Sequence, residues 1–221
     1  MLVLSEDKDI FGGELDNTIL KDQLNLMRVG EPMYVFYGYV EDGYDENGHI
    51  VYKNMDDDPA ITAADKTIIG DPNPDFLVNL TTAVSYKGFT LSAFFQSSIG
   101  NDIYSLSMAA QAYDYGYNGN TLREVYYNHW TPENPTAKYP NLDQTSYKMS
   151  DRFVYDGSFV RLKNLELAYD VPCARSKFIK RARAYVSAQN LFTITSYPFW
   201  DPDINANGGG SSMIQGVDSY C

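Results

Sequence analysis

The sequence predicts an all-β protein built as an antiparallel meander, and three observations lead to this fold class. Two long segments on either side of Lys87 and Gly88 alternate apolar with polar residues. A third segment, Leu165–Val171, alternates in the same way. Aromatic residues make up 14% of the chain, and most of them are tyrosine, which favours strands. A period of two residues places successive side chains on opposite faces of a sheet, so each strand has one apolar and one polar face.

The clearest element is a hairpin over residues 76–101. Lys87 and Gly88 form its turn, because glycine allows the backbone conformation that a tight reversal requires. Small polar residues such as Asn79 and Ser92 occupy one side of the hairpin. The other side is apolar and consists of Phe76, Val78, Leu80, Thr82, Val84, Tyr86, Phe89, Leu91, Ala93 and Phe95.

Two further strands follow later in the chain. The first has Glu166 and Asp170 on its polar face. Its apolar face consists of Leu165, Leu167, Tyr169 and Val171. Residues 172–179 turn the chain, and residues 181–192 form the second strand, whose two faces are less distinct.

The remaining segments give weaker signals. Residues 33–40 are rich in aromatic side chains and form either a strand or a connector. Leu20, Leu24 and Met27 fit either a short helix or the end of a strand. A short helix can end at Tyr127, but the three closely spaced prolines that follow exclude a longer one.

Long and short connections alternate along the predicted meander. The long ones lie at about 41–74, 99–152 and 193–221, and the short ones at 87–88 and 172–179. Every second connection of a meander lies at the same end, so the long loops share one rim and the tight turns share the other. Outer-membrane β-barrels have long outer loops, short periplasmic turns, an apolar outside and a polar interior. The alternative is a soluble β-sandwich whose polar side faces bulk water, and the pattern alone favours neither.

Composition and charge exclude several classes of protein. The net charge of −12 argues against a nucleic-acid partner, because the chain cannot neutralise phosphates. Cys173 and Cys221 form neither a disulfide framework nor a metal-binding spacing. No segment approaches the roughly 18 apolar residues of a transmembrane helix, and the apolar run at 2–4 is too short for a signal peptide.

Six segments of the chain, taken in order, resemble the C-terminal part of SusC/RagA-type TonB-dependent outer-membrane transporters. These segments are Val29–Tyr39, Ile68–Phe76, Tyr86–Tyr104, His129–Pro140, Val154–Pro172 and Ala184–Tyr197. They occur in the order in which the family has them and cover most of positions 29–203. No single motif is decisive, but the ordered set is specific.

The resemblance implies part of a plugged transmembrane β-barrel in the outer membrane of a Gram-negative cell. Members of the family import glycan or peptide fragments by binding and gated passage, driven by TonB. A SusD-like lipoprotein forms a lid over the barrel mouth. The implied partners are this lid, the TonB complex, an oligosaccharide or peptide substrate, and outer-membrane lipid. Plugged barrels of this kind have about 22 strands, so the chain supplies about a quarter of one.

We therefore expect residues 1–221 to be a fragment of such a receptor. The plug, the TonB box and the signal peptide would lie upstream, and a final strand would follow Tyr220 and Cys221. The TonB complex would act through that missing N-terminal part. The alternative is a soluble, secreted β-sandwich that binds carbohydrate. The apolar residues of the strands would contact lipid in a barrel, whereas in a sandwich they would meet in a dry core.

The sequence predicts no enzyme. His49 and His129 are the only histidines, and neither has a metal-binding or triad-like spacing. Asp201 and Asp203 could form an acid–base pair for glycoside hydrolysis. However, an Asp-Pro-Asp sequence beside a run of glycines is typical of a turn.

Three aromatic residues in the predicted outer loop are candidates for substrate binding, namely Tyr113, Trp130 and Tyr139. Exposed aromatic rings can stack on sugar rings through their apolar faces. The same three rings could equally pack the loop or contact the lipoprotein lid.

Residues 54–65 have the length of a 12-residue calcium loop. The candidate Ca²⁺ ligands are five side chains and one backbone carbonyl, those of Asn54, Asp56, Asp58, Thr62 and Asp65 and of Ala60. Pro59 stands where the sharp turn of such loops needs glycine, and Asp65 is shorter than the usual bidentate glutamate. A site of this kind would be weak, with a dissociation constant on the order of 10⁻⁴ to 10⁻³ M. The alternative is an acidic loop that is merely solvated.

Overall fold

The computed structural model of the protein describes residues 9–11, 15–16, 21–113, 120–173, 181–204 and 214–218. These residues belong to two compact units. The sheet unit comprises Pro74–Asn101 and Asp156–Asp203. The mixed unit comprises Met1–Asn73, Asp102–Tyr155 and Ile204–Cys221. Among the described residues, no helix has the length and hydrophobicity that crossing a membrane requires.

Strands dominate the described part of the chain, as the sequence predicts. The helices are α1 (Leu106–Tyr113) and α2 (Arg123–Tyr127), and short 3₁₀ turns cover Ala63–Asp65 and Asp151–Phe153. The strands in chain order are β1 (Ile10–Phe11), β2 (Leu15–Asp16), β3 (Lys21–Asp22), β4 (Asn25–Met27), β5 (Val35–Gly38), β6 (Glu41–Tyr44), β7 (Ile50–Tyr52), β8 (Thr67–Gly70), β9 (Phe76–Tyr86), β10 (Phe89–Ile99), β11 (Asp102–Ser105), β12 (Val154–Asp156), β13 (Phe159–Val171), β14 (Ala182–Thr195) and β15 (Val217–Asp218).

The sheet unit contains one four-stranded antiparallel sheet in the order β14-β13-β10-β9. Strands β9 and β10 meet at Lys87 and Gly88, whose φ angles of 48° and 88° fit a type I′ hairpin turn. The register pairs Leu91 with Val84 on one side and with Leu167 on the other. The predicted hairpin and the antiparallel fold class are therefore confirmed.

The apolar side chains share one face of this sheet, because residues paired across neighbouring strands lie on the same side. This apolar face includes Phe76, Val78, Leu80, Val84, Phe89, Leu91, Leu165, Leu167 and Val171. All of these except the half-buried Leu165 have 40% to 65% of their surface exposed. In a sandwich these residues would meet in a dry core, but the described part of the chain leaves the face uncovered.

Strand β13 begins before the clean alternation that the sequence shows from Leu165 onward. The register with both neighbouring strands shifts between Leu162 and Asn164. Lys163 is an extra residue relative to β10, whereas on β14 two residues, Asn190 and Leu191, lie opposite Lys163. Facing this bulge on β14, Asn190 has a φ angle of 50°. An extra residue reverses which positions face which side of a sheet. On β13 the apolar face therefore carries even-numbered residues before the bulge and odd-numbered residues after it.

The mixed unit contains a second four-stranded sheet in the order β1-β4-β5-β8. It also contains the antiparallel pair β6–β7 and the parallel pair β11–β15. Strand β5 lies within residues 33–40, so a strand is confirmed there. Leu24 directly precedes β4 and Met27 ends it, so these two residues belong to a strand segment and not to a helix, whereas Leu20 lies outside the described residues. The core of the unit includes the fully buried side chains of Leu24, Leu26, Val35, Phe36, Ile103, Tyr104, Val125, Tyr139, Met149, Phe153 and Val217.

The ranges 41–74 and 99–152 contain regular structure, although the sequence predicts them as long loops. Strands β6, β7 and β8 lie in the first range, and β11, α1 and α2 lie in the second. None of these four strands exceeds four residues, so each is too short to show a hydrophobic period in the sequence. The short helix predicted to end at Tyr127 is confirmed as α2.

Candidate functional site

The apolar face of the sheet unit ends in aromatic rings at its hairpin side. Tyr86, Phe89 and Tyr169 form one row across β9, β10 and β13. The ring centroids of Phe89 and Tyr169 are 4.5 Å apart, and the Lys87 ammonium lies 5.1 Å from the centroid of Tyr86. Aromatic rows of this kind mark membrane–water interfaces. Strands β9 and β10 have 11 residues each, which falls within the roughly 9–11 residues of a transmembrane strand.

The opposite face of the same sheet is predominantly polar. One row across the four strands consists of Thr193, Arg161, Gln96 and Asn79. A second row consists of Ser187, Glu166, Ser92 and Ala83. Arg183 donates to the Glu166 carboxylate at 3.4 Å beside this second row. Such a surface offers donors and acceptors to water or to a polar ligand.

Arg161 is a buried charge on this polar face, with only 5% of its surface exposed. Its Nε donates to Thr193 Oγ1 at 2.9 Å, and its terminal nitrogens donate to Asp201 and, at 3.4 Å, to Asp203. The guanidinium also lies 5.0 Å from the centroid of the Phe159 ring. Both carboxylates therefore serve one guanidinium and fix a turn. This arrangement does not support the alternative in which they flank a scissile glycosidic bond.

Two of the three aromatic residues predicted to bind substrate, Trp130 and Tyr139, pack against their own unit. Tyr139 is 2% exposed, so its ring has no free face. The Trp130 ring lies against Gly48, where an added Cβ would come within 2.3 Å of it. Tyr113 ends α1, but its side chain falls outside the described part of the structure. Packing is the alternative that the sequence left open, and sugar stacking by these three residues stays a prediction.

Three exposed aromatic residues carry no signal that sequence reasoning could use. Tyr126 and Tyr127 are exposed on α2, whereas Val125 between them and the helix start is buried. Trp200 follows β14 and is 94% exposed. Single exposed rings have no periodicity, so only the fold distinguishes them from core residues.

The predicted calcium loop forms a ladder of local hydrogen bonds. The backbone N–H groups of Asp56, Asp58 and Ala60 donate to the side-chain oxygens of the residues two positions earlier, at 2.8–3.1 Å. Met55 and Thr62 donate their backbone N–H groups to the two oxygens of Asp65, both at 2.7 Å. These bonds hold the pKa of Asp65 below its ordinary value. Within the described ranges, no three acidic, histidine or cysteine side chains gather as metal ligands.

Known proteins are similar to this chain along most of its length. The chain is 31% identical over 223 residues to TonB-dependent receptor P3 of Formosa agariphila, a match that covers 93% of the chain and 22% of that receptor. It is 29% identical over 185 residues to the TonB-dependent receptor SusC of Bacteroides thetaiotaomicron, covering 81% of the chain and 18% of SusC. The RagAB peptide importer in its open-open state has a TM-score of 0.69 and 25% identity, covering 94% of this chain and 22% of that chain. The chain is a segment of a SusC/RagA-type TonB-dependent receptor.

A second solved structure agrees with this membership. The RagAB peptide importer in its closed-closed state has a TM-score of 0.70 and 26% identity, and the match covers 81% of this chain and 21% of that one. No family model matches the receptor segment. The segment spans about a fifth of the length of the curated relatives it matches.

For the receptor that contains this segment, we expect calcium to bind the 54–65 loop at most weakly, with a dissociation constant no lower than about 10⁻⁴ M. Asn54, Asp56 and Asp58 would have to share oxygens that already accept backbone N–H groups. Calorimetry on the folded receptor, with and without the paired Asp56→Ala and Asp58→Ala substitutions, measures this. A micromolar dissociation constant that the paired substitutions abolish would contradict the expectation.

Proposed function

We propose that this segment contributes strands and loops to the outer-membrane barrel of a TonB-dependent nutrient importer. The main observation in support is the four-stranded sheet, which has one exposed apolar face and one polar face. Eleven residues rising about 3.4 Å each and tilted by about 40° reach about 29 Å along a barrel axis, which is enough to cross an apolar band of about 25 Å. That height matches the apolar band of outer-membrane barrels. A secreted β-sandwich is less well supported, because its sheet would cover this face.

The mechanism that we propose is binding and gated passage, without bond chemistry. The polar face, with Thr193, Gln96 and Asn79 in one row, would face the aqueous interior. The ranges 41–74, 99–152 and 193–221 would be the outer loops, and residues 87–88 and 172–179 would be the periplasmic turns. A SusD-like lipoprotein would form the lid, and the TonB complex would act through a part of the receptor outside this segment.

The substrate class is also a proposal. Peptide is suggested by the solved structures with similar folds, which carry the name of a peptide importer. Glycan is what the resemblance to the SusC/RagA family implies, and SusC is among the relatives. We propose glycan or peptide fragments as the imported material.

The full receptor in a Gram-negative host tests this proposal. We expect it in the outer-membrane fraction, with uptake of at least one oligosaccharide or peptide pool, followed by mass spectrometry of the medium. Uptake should stop when either the receptor or the TonB complex is deleted. A receptor recovered in the soluble fraction, or uptake that persists without the TonB complex, would overturn the proposal.

A further inference from the structure

Trp200 is exposed to an extent that packing does not explain. Its surface is 94% accessible, whereas tryptophan is on average a highly buried residue. It lies five residues beyond the end of β14, in a segment of the sheet unit that follows the last strand of the sheet. A large apolar ring held in water costs free energy unless a ligand or surface covers it.

The residues on both sides of Trp200 hold its backbone in place. Before it, the buried Tyr197 contacts the ring of Phe199 edge-on at 5.3 Å, and the Tyr197 N–H donates to Thr195 Oγ1 at 3.0 Å. After it, the Asp203 N–H donates to Asp201 Oδ1 at 2.9 Å. The tryptophan is therefore presented on a preorganised turn, which lowers the entropy cost of binding a ligand.

The two aspartates after Trp200 remain available to a ligand. Arg161 pins both carboxylates from the buried side, and Lys163 lies 4.0 Å from the Asp203 carboxylate. The side chains of Asp201 and Asp203 are nevertheless 57% and 42% exposed. An ionised carboxylate has about four acceptor positions, and the internal partners leave some of them open. The turn thus carries an exposed apolar ring and, next to it in sequence, two partly exposed carboxylates.

We propose that Trp200, Asp201 and Asp203 form a carbohydrate-binding subsite of the receptor. A sugar ring has an apolar C–H face that stacks on an aromatic ring, and a rim of hydroxyl donors that bind carboxylates. This inference rests on the proposed import function and selects glycan from its two substrate classes. The competing occupant is the membrane interface, where tryptophan is also enriched. The two exposed carboxylates next to Trp200 disfavour that occupant, because insertion would carry them towards lipid.

A printed glycan array probed with the detergent-solubilised full receptor tests the subsite. We expect Trp200→Ala to weaken binding to the glycans that the wild type retains by about tenfold or more, and Trp200→Phe to keep most of it. The paired Asp201→Asn and Asp203→Asn substitutions should also weaken binding. Tyr127→Ala removes another exposed aromatic ring and is the matched control, expected to leave binding unchanged. Heat-modifiable migration on gels confirms that each variant has folded.

Two results on the array would contradict the proposed subsite. One is that the wild-type receptor binds no glycan, and the other is that the Trp200→Ala receptor binds glycans as well as the wild type does. In vesicles of brominated phosphatidylcholine, tryptophan quenching that the Trp200→Phe variant lacks would assign the ring to the membrane interface instead. If the receptor binds no glycan but takes up peptides in a TonB-dependent way, the proposed subsite is wrong while the proposed import function is supported.

Discussion

Replacing Arg152 by methionine is expected to destabilise the mixed unit by about 3–5 kcal/mol. The Arg152 Nε donates to both carboxylate oxygens of Glu41, at 2.8 and 3.0 Å, and its NH2 group donates to the Tyr44 hydroxyl at 3.1 Å. The Arg152 and Glu41 side chains are only 17% and 10% exposed. Without the guanidinium, Ser150 still donates to the Glu41 carboxylate at 2.6 Å, but the buried charge is no longer compensated. Removing one partner therefore costs more than the ion pair contributes.

Hydrogen exchange on the full receptor in detergent measures this loss locally. The Tyr39 N–H donates to the Met149 carbonyl at 2.8 Å, and the Asp151 N–H donates to the Tyr39 carbonyl at 3.0 Å. These two amides join the strands next to the ion pair, so we expect them to exchange faster in the Arg152→Met variant. Adding Glu41→Gln should restore part of the protection, because no buried charge then remains.

An exposed ion pair in the same unit provides the matched control. Lys138 and Glu124 are 2.7 Å apart, but both side chains are about half exposed. Lys138→Met should therefore cost less than about 1 kcal/mol. If Lys138→Met and Arg152→Met accelerate exchange equally, burial does not set the strength of the Arg152 pair.

In lipid, Leu80→Arg is expected to lower the free energy of unfolding of the receptor barrel by about 2–4 kcal/mol, and Thr81→Arg by less than about 1 kcal/mol. Leu80 lies near the middle of β9 on the apolar face, and Thr81 is the next residue on the polar face. An arginine at Leu80 would enter the hydrocarbon, whereas one at Thr81 would stay in the aqueous interior. The two substitutions thus place the same charge on neighbouring residues of one strand but on opposite faces of the sheet.

Denaturant unfolding of the full receptor in phospholipid vesicles, followed by heat-modifiable migration, measures the difference. Leu80→Gln is a useful intermediate, since it adds a polar group without a charge and should cost less than arginine. Equal losses for Leu80→Arg and Thr81→Arg would show that the apolar face does not contact lipid. That result would also remove the main physical support for a barrel.

The sequence by itself determines the hairpin, its turn and the apolar face. Alternation over residues 76–99 and the Lys87 and Gly88 turn are local properties, which depend only on the backbone period and on a glycine with positive φ. The sequence also determines the family. No single motif is specific, but several segments resemble the family and occur in the same order as in its members. The identities to the relatives, and the large share of the chain that the matches cover, agree with this membership.

The sequence determines less where one residue changes the ladder or where elements are short. The extra Lys163 reverses the faces of β13 relative to β10. No particular residue type marks a bulge of this kind, so the sequence does not reveal it. Among the four short strands within 41–74 and 99–152, β8 and β11 pair with β5 and β15, which are distant in sequence, whereas β6 and β7 pair with each other. Each has only three or four residues, which cannot show a period.

Only the tertiary structure decides the roles of single side chains. Asp201 and Asp203 meet Arg161 across about 40 residues of chain, so their function as turn partners depends on the path of β13 and β14. Tyr139 and Trp200 are both aromatic residues in irregular segments, yet one is buried and the other almost fully exposed. Burial is a property of what surrounds a residue in space, and residues far apart in sequence supply those surroundings.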